Sequence, residues 1–312
     1  ASLPTPAAPA QDARRSVLAI PAFRKLWNSM LFSSLGDWLG LLATTALAQQ
    51  LSGGSYATAN FAIAGVFIAR LLPAVFLGPI AGVIADRFDR RRLMFNVDIM
   101  RAALYISIPI VNTYFWLYTA MILVECLTLF WSPAKEASVP NLVPRDKLES
   151  ANQVSLLAAY GTAPIAAILF SILTLLSSAI AAISPLIPSN SIDIALYINA
   201  ISFLFAAWTV FGIKEIPKGA AAKSDNSSNV GQSLIQGWKA VSESKIIRGL
   251  IIGMVGAFSA AGAVIGLART FVGDLGGGEA AYGVLFGAVF TGLAIGIAFG
   301  PKIFAQFSRR RL

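Results

Sequence analysis

Residues 58–92 read TANFAIAGVFIARLLPAVFLGPIAGVIADRFDRRR. The first 28 of these carry one charge, Arg70, and the last seven carry six. An α-helix rises about 1.5 Å per residue, so about 20 apolar residues cross a bilayer. This run is longer than that, and it stops at an arginine cluster. It is read as a membrane-spanning helix followed by a loop at one membrane face. It is far too long for the strand of a membrane barrel, which uses about 10 residues. A chain in hydrocarbon must satisfy its backbone hydrogen bonds internally, and a helix does so.

The rest of the chain agrees. Its 312 residues are 56% hydrophobic and 12% charged, with a mean hydropathy of +0.71. A soluble domain carries about 25% charged residues. That contrast excludes an ordinary cytosolic enzyme, a disordered tail and a coiled coil. Seven more apolar segments stand at about 28–50, 93–113, 114–134, 152–182, 193–213, 248–269 and 280–303. Only Asn112 and Thr113 separate the third span from the fourth. Residues 1–26 form an Ala- and Pro-rich tail, and 214–247 form a polar central loop. The expected division is a tail at 1–26, a six-helix half at 27–213, the loop at 214–247, and the start of a second half at 248–312. The fold class is an all-α membrane protein, a polytopic helical bundle.

Lysines and arginines are distributed unevenly. Twenty-one of the 24 fall on one side of this arrangement, and Arg269 alone falls on the other. Arg70 and Arg101 lie inside spans. The excess of positive charge on cytoplasmic loops then places the N-terminus and the central loop in the cytoplasm. Short basic loops at a membrane face also argue against a nucleic-acid partner. Trp27 and Trp131 near the inner interface, and Tyr114 and Trp116 near the outer one, are expected to anchor the bundle. Cys126 is the sole cysteine, so no internal disulfide forms, and it reads as a small buried apolar residue. No phosphate-binding loop, dinucleotide fingerprint, metal cluster or catalytic constellation is present, so no enzyme activity, metal or cofactor is expected. Histidine is absent. A proton carrier here would have to be a carboxyl group.

Charges deep in the spans carry the functional expectation, because an intramembrane charge is expensive. Asp37 lies about ten residues, or roughly 15 Å, inside the first span. It reads as a proton carrier, as a structural ion pair with Arg70, or as both in different states. Glu125, comparably deep in the fourth span, reads as a second proton site, a contact for a cationic substrate, or a structural polar residue. Asp98 and Arg101 stand three apart and share a helix face, expected to brace the loop arginines. Gly161 and Pro164 are candidates for a bend in the fifth span. An internal echo is also visible. Phe88-Asp-Arg-Arg-Arg-Leu93 recurs as Phe307-Ser-Arg-Arg-Arg-Leu312, 219 residues later, each time after a Gly-Pro-containing span. Parallel six-helix repeats are one transporter architecture, and about four further helices would complete the second.

The segment Gly82-Val-Ile-Ala-Asp86-Arg87-Phe-Asp89-Arg90-Arg91-Arg92 resembles the signature loop of the major facilitator superfamily, with Asp89 where that pattern usually has Gly. Phe23-Arg-Lys-Leu-Trp27, Ser34-Leu-Gly-Asp37, Arg70-Leu-Leu-Pro73 and the stretch from Ser132 to Pro140 resemble its bacterial drug:proton antiporter branch, which includes macrolide-efflux-like and enterobactin-exporter-like proteins. The resemblance implies the major facilitator fold, with about eight of twelve helices present. It implies a monomer of the bacterial inner membrane that exports a hydrophobic or amphiphilic small molecule in exchange for protons. It also implies that Gly82, Asp86, Arg87, Arg90 and Arg91 latch the two halves together. Within the same fold, transport of a siderophore or lysophospholipid is the alternative. A non-transporting membrane anchor or sensor domain is the rival from another class. The arginine often found in the fourth span of efflux members is missing, and Gly161-Thr-Ala-Pro164 keeps part of the antiporter motif of the fifth.

Overall fold

The computed structural model describes residues 17–53, 56–85, 88–183, 190–216, 242–249 and 271–304, with Lys239, Ile252, Gly253, Gly256, Leu267 and Ala268. Among the described residues seven helices are long and apolar enough to cross a membrane, and there is no strand. They are α1 (Pro21–Leu51), α2 (Tyr56–Ala85), α3 (Arg90–Val111), α4 (Tyr114–Leu142), α5 (Leu148–Ile183), α6 (Ser191–Phe211) and α7 (Glu279–Phe304). A 3-10 turn, Arg145–Lys147, joins α4 to α5. Most of the apolar segment at 248–269 and of the central loop lies outside the described residues.

Local chemistry explains the helix ends. The Asp89 carboxylate accepts the Arg92 N–H at 3.1 Å and caps α3. The aspartate that replaces the signature glycine is therefore an N-cap, which satisfies one of the free N–H groups of a first turn. Asn112 ends α3 in the left-handed region, with φ of 46°. Thr113 then caps α4 through the Trp116 N–H. These two residues are a complete stop and start, which is why so slight a boundary suffices.

Two ends differ from expectation. α1 begins at Pro21 rather than near 28, with the proline in its first turn, where it costs no hydrogen bond. α4 continues to Leu142 rather than stopping near 134, straight through Pro133 and Pro140. Packing outweighs the prolines there. Ala134, Ser138, Val139 and Leu142 are buried, and Arg90 and Asn141 both donate to the Ala137 carbonyl, at 3.2 and 2.7 Å.

The helices form a bundle with α1 at its centre. α1 packs on α2, α5 and α6; α3 packs on α4 and α6; α2 packs on α4; and α7 lies along α5. Two buried apolar clusters are stacked along the bundle. The one nearer the basic end includes Phe23, Leu26, Met30, Met94, Val97 and Val210. The other includes Leu39, Leu42, Ala102, Ile108, Met121 and Phe203. Large apolar side chains also cover the outside, among them Phe61, Ile110, Phe115 and Trp208. A soluble protein does not present such a surface, whereas lipid is its natural solvent.

Glycines set the closest helix crossings. Gly36 and Gly40, one turn apart on α1, face α6, and a Cβ at either would fall on the Asn199 amide. Gly283 and Gly287 repeat the device on α7. A Cβ at Gly283 would lie 3.1 Å from the Ala167 carbonyl oxygen of α5, and one at Gly287 would lie 3.3 Å from the Ala167 Cβ. The Ser171 hydroxyl donates to the Ala280 carbonyl at 3.1 Å across the same crossing. Small residues one turn apart let helices approach in lipid, where contact and hydrogen bonds replace the hydrophobic effect. Gly161 has open space around it, and Pro164 lies inside α5.

The α5–α7 crossing can be checked by a cross-link. A Cβ on residue 283 would lie 3.6 Å from that of Ser171, within the range of about 3.5–4.5 Å that a disulfide spans. In a Cys126→Ser background, Ser171→Cys with Gly283→Cys should lose both thiols to mild oxidant, read as protection from a maleimide mass tag. Ser171→Cys with Gly292→Cys, displaced by about 13 Å along α7, should stay reduced. Oxidation of both pairs, or of neither, would contradict the crossing.

Candidate functional site

A layer of charge lies at the seam between the two apolar clusters. Its centre is Arg101 of α3, which is fully buried. Arg101 Nη2 donates to Asp37 Oδ1 of α1 at 2.5 Å. Its Nη1 donates to Asp98 Oδ1 at 3.3 Å and to the Ser33 hydroxyl at 3.2 Å. The guanidinium also lies 4.1 Å from the ring centroid of Phe203 on α6. Asp98 is fully buried and its second oxygen accepts the indole N–H of Trp131 on α4, at 3.2 Å. One guanidinium thus joins α1, α3 and α6, and Asp98 extends the joint to α4. Arginine suits this position because its planar fork presents several donors at fixed angles.

The second pair is looser. Arg70 Nε of α2 stands 3.9 Å from Glu125 Oε2 of α4, and both side chains are about one fifth exposed. Between the two pairs sits Tyr105, buried and stacked on Phe203 at 5.6 Å. Its hydroxyl has no hydrogen-bond partner among the described residues, and neither do Arg70 Nη1 and both amide atoms of Asn199. Three carboxylates against two guanidiniums give the layer a formal charge of −1, so one proton brings it to neutrality.

Asp37 differs from its partners in one respect. Its side chain is 30% exposed, while those of Arg101 and Asp98 are at 1% and 0%. Asp37 and Arg101 open on a cavity of about 160 Å³ that Ser33, Ser34, Thr128, Ser132 and Lys135 also line. A second cavity of about 550 Å³ adjoins it between α4 and α5, sharing Lys135 and Ala159 with the first.

The residue after Asp37 reaches α5 and α7. The Trp38 indole N–H donates to the Ala159 carbonyl of α5 at 2.7 Å. Its ring meets Phe286 and Phe290 of α7, with centroids 5.9 and 4.4 Å away. Two consecutive residues of α1 therefore touch the internal charge layer and the contact with α7.

Several residues are placed differently from expectation. Asp37 pairs with Arg101, not with Arg70. The reason is helix order: α2 lies mainly along α4, which takes Arg70 to Glu125. Asp98 and Arg101 brace Asp37 and Trp131 rather than the loop arginines. Of those arginines, Arg90 donates to the Ala137 carbonyl, and Arg91 lies 5.7 Å from the ring of Phe211. Trp131 is buried rather than interfacial, and the Trp27 indole donates to the Val154 carbonyl at 2.9 Å. Gly82 is within α2, while Asp86 and Arg87 of the expected latch lie outside the described residues. Among the described residues no three His, Cys, Asp or Glu side chains converge on a metal position. Ser33, Trp38, Tyr105, Asn199 and Phe203 complete the site without having been singled out. Asn199, a lone amide in an apolar span, was the one with a usable signal.

Removing one member of a buried ion pair costs about 3–5 kcal/mol, because the other charge is left without a partner. Arg101→Met should therefore lower the unfolding stability of the purified protein by about that much. Asp37→Asn, whose amide oxygen still accepts from Arg101, should cost clearly less. Thermal unfolding in detergent reads both, and equal small losses would show that Arg101 does not hold the layer together.

The comparisons with known proteins agree with this architecture. Residues 15–312 match the family described as transmembrane secretion effector, one of the major facilitator transporter families. The uncharacterized MFS-type transporter YfiS of Bacillus subtilis is 35% identical over 130 residues, covering 42% of this chain and 30% of YfiS. Macrolide efflux protein A of Enterococcus faecalis is 34% identical over 82 residues, 25% of each chain. The putative bacilysin exporter BacE of B. subtilis is 23% identical over 240 residues, covering 75% of this chain and 54% of BacE. The chain thus spans between a quarter and about half of the length of these relatives. With the match running through nearly all of its residues and the helices arranged as described, this chain is a multi-pass membrane protein that belongs to the transmembrane secretion effector family of the major facilitator transporters.

Proposed function

We propose that the protein is part of a secondary exporter that moves a hydrophobic or amphiphilic small molecule outward in exchange for protons, with Asp37 as the proton carrier. The observation that carries this reading is the asymmetry of the charge layer. Of the two carboxylates bonded to Arg101, Asp37 lines a cavity and Asp98 is fully buried. A proton arriving from that cavity cancels the Asp37 charge and leaves Arg101 to Asp98. The tie between α1 and α3 weakens at that step, and it returns when the proton leaves.

Trp38 supplies the coupling. α1 carries Asp37 and Trp38 in sequence, so a small rotation of α1 that follows protonation also moves the Trp38 ring against Phe286 and Phe290. In this reading the N-terminal half runs over 27–213, α7 belongs to the second half, and the substrate route lies between them near the midplane. The basic end faces the cytoplasm, the membrane is the bacterial inner membrane, and Gly82, Asp86, Arg87, Arg90 and Arg91 serve as the latch at that face. Glu125, held by Arg70, is the reserve carboxyl of the same layer. The names of two relatives, a macrolide efflux protein and a putative bacilysin exporter, support outward movement of small molecules.

The test uses the gene encoding this chain, expressed in bacterial cells that lack their main efflux pumps. Loss of preloaded fluorescent amphiphiles, Nile red among them, is followed with the proton gradient intact and then collapsed. Export should require the gradient, and Asp37→Asn should reduce it to the level of vector controls while leaving the amount of membrane protein unchanged. Export indifferent to both changes would overturn proton antiport through Asp37.

A further inference from the structure

The larger of these two cavities lies between α4 and α5. It holds about 550 Å³ and lies where the last turns of α4 meet the first turns of α5. Its apolar wall is Val139, Pro140, Leu148 and Leu156. Its charged wall is Lys135 and Glu136, whose Nζ and Oε1 are 3.7 Å apart. Asn152 and Ser155, one turn apart at the start of α5, add neutral polar groups. Glu136 stands at the mouth, 73% exposed, and Lys135 further in, 18% exposed, while the Ser155 hydroxyl is already spent on the Ala151 carbonyl at 2.8 Å.

We propose that this cavity is the recognition site for a zwitterionic amphiphile, a compound with a carboxylate and an ammonium close together on an apolar body. The inference rests on the export reading, with this cavity, which adjoins the Asp37 cavity, as the cytoplasmic mouth of the substrate route. The carboxylate of such a compound meets Lys135, its ammonium meets Glu136, and its body lies on Val139, Leu148 and Leu156. Two charges a few Å apart on the ligand match two charges 3.7 Å apart on the wall. The Asn152 amide offers both a donor and an acceptor, so it serves either end.

The neighbouring cavity favours a passenger without net charge. Lys135 and Ala159 line both cavities, so the head of the ligand lies beside Asp37 and Arg101. A cation there would compete with Arg101 for Asp37, and an anion would compete with Asp37 for Arg101. A zwitterion does neither to first order. The Lys135 side chain, 18% exposed, keeps Glu136 as its counter-charge, which points the same way. A cation that keeps its own counter-charge is arranged for exchange of one neutral pair for another.

Binding of four matched probes to the purified full chain in detergent tests this. They are Nε-dansyl-lysine (zwitterion), its Nα-acetyl derivative (anion), its methyl ester (cation), and the doubly blocked Nα-acetyl methyl ester (neutral). All share one fluorophore and one apolar body. The zwitterion should bind about tenfold tighter than each of the others, the scale of one hydrogen bond to a charged group. Lys135→Gln should erase the preference for a free carboxylate, making zwitterion and methyl ester equal. Glu136→Gln should erase the preference for a free ammonium, making zwitterion and Nα-acetyl compound equal. Binding of the doubly blocked probe should be unchanged in both variants, which shows that they fold.

Equal binding of all four probes to the wild-type protein overturns the proposal and leaves export of uncharged amphiphiles standing. An anion or cation that binds best, with a ranking untouched by Glu136→Gln, overturns it in favour of a singly charged substrate. Binding of none of the four overturns it together with the assignment of this cavity to the substrate route. The assay needs no proton gradient, so a failure of coupling through Asp37 does not affect its outcome.

Discussion

Arg101 is fully buried, and the arrangement of four helices follows from how that charge is met. A buried guanidinium is tolerable only when carboxylates and other donors and acceptors surround it. Here Asp37 comes from α1, Asp98 from α3 itself, and the ring of Phe203 from α6. The Trp131 indole then ties Asp98 to α4. Four helices are fixed in depth and rotation relative to one another by one side chain and its partners. Apolar contacts alone would not do this, because lipid tails compete for apolar side chains as well as neighbouring helices do.

Close approach is the second requirement. Charges on different helices meet only if the backbones come near, and glycine provides the space. Gly36 and Gly40 bracket Asp37 on the sequence and admit Asn199 of α6 beside it. On the far side of α5, Gly283 and Gly287 admit α7 against Ala167 and Ser171. The result is a bundle with its polar groups gathered at one level and Trp38 connecting that level to α7. In the proposed export cycle this places the protonated group and the moving contact one residue apart on the same helix.

Much of this was legible beforehand, and the part that was not has a common cause. The spans follow from apolar length; the boundary at Asn112 and Thr113 was visible only as two polar residues, and the structure supplied their capping chemistry. Asp37, Arg70, Asp98, Arg101 and Glu125 were recognisable because charge inside a span is costly. Their partners were not, because spacing along the chain says nothing about which helices are neighbours. Asp37 and Arg70 are both deep and opposite in charge, yet α2 lies along α4 and takes Arg70 away. The fourth span was expected to end near 134, and α4 runs on to Leu142 through Pro133 and Pro140, with Ala134, Val139 and Leu142 buried.

Composition and periodicity by themselves determined that this is a helical membrane protein, where its spans lie and which residues sit expensively within them. These are one-dimensional properties: apolar length against bilayer thickness, and charge against hydrocarbon. Only the tertiary structure decided that Arg101 is the centre of the charge layer, that of its two carboxylates Asp37 opens on a cavity while Asp98 is buried, and that Lys135 and Glu136 line a second one. Each of those depends on helices from distant parts of the chain meeting at one depth, and that meeting is set by packing in three dimensions.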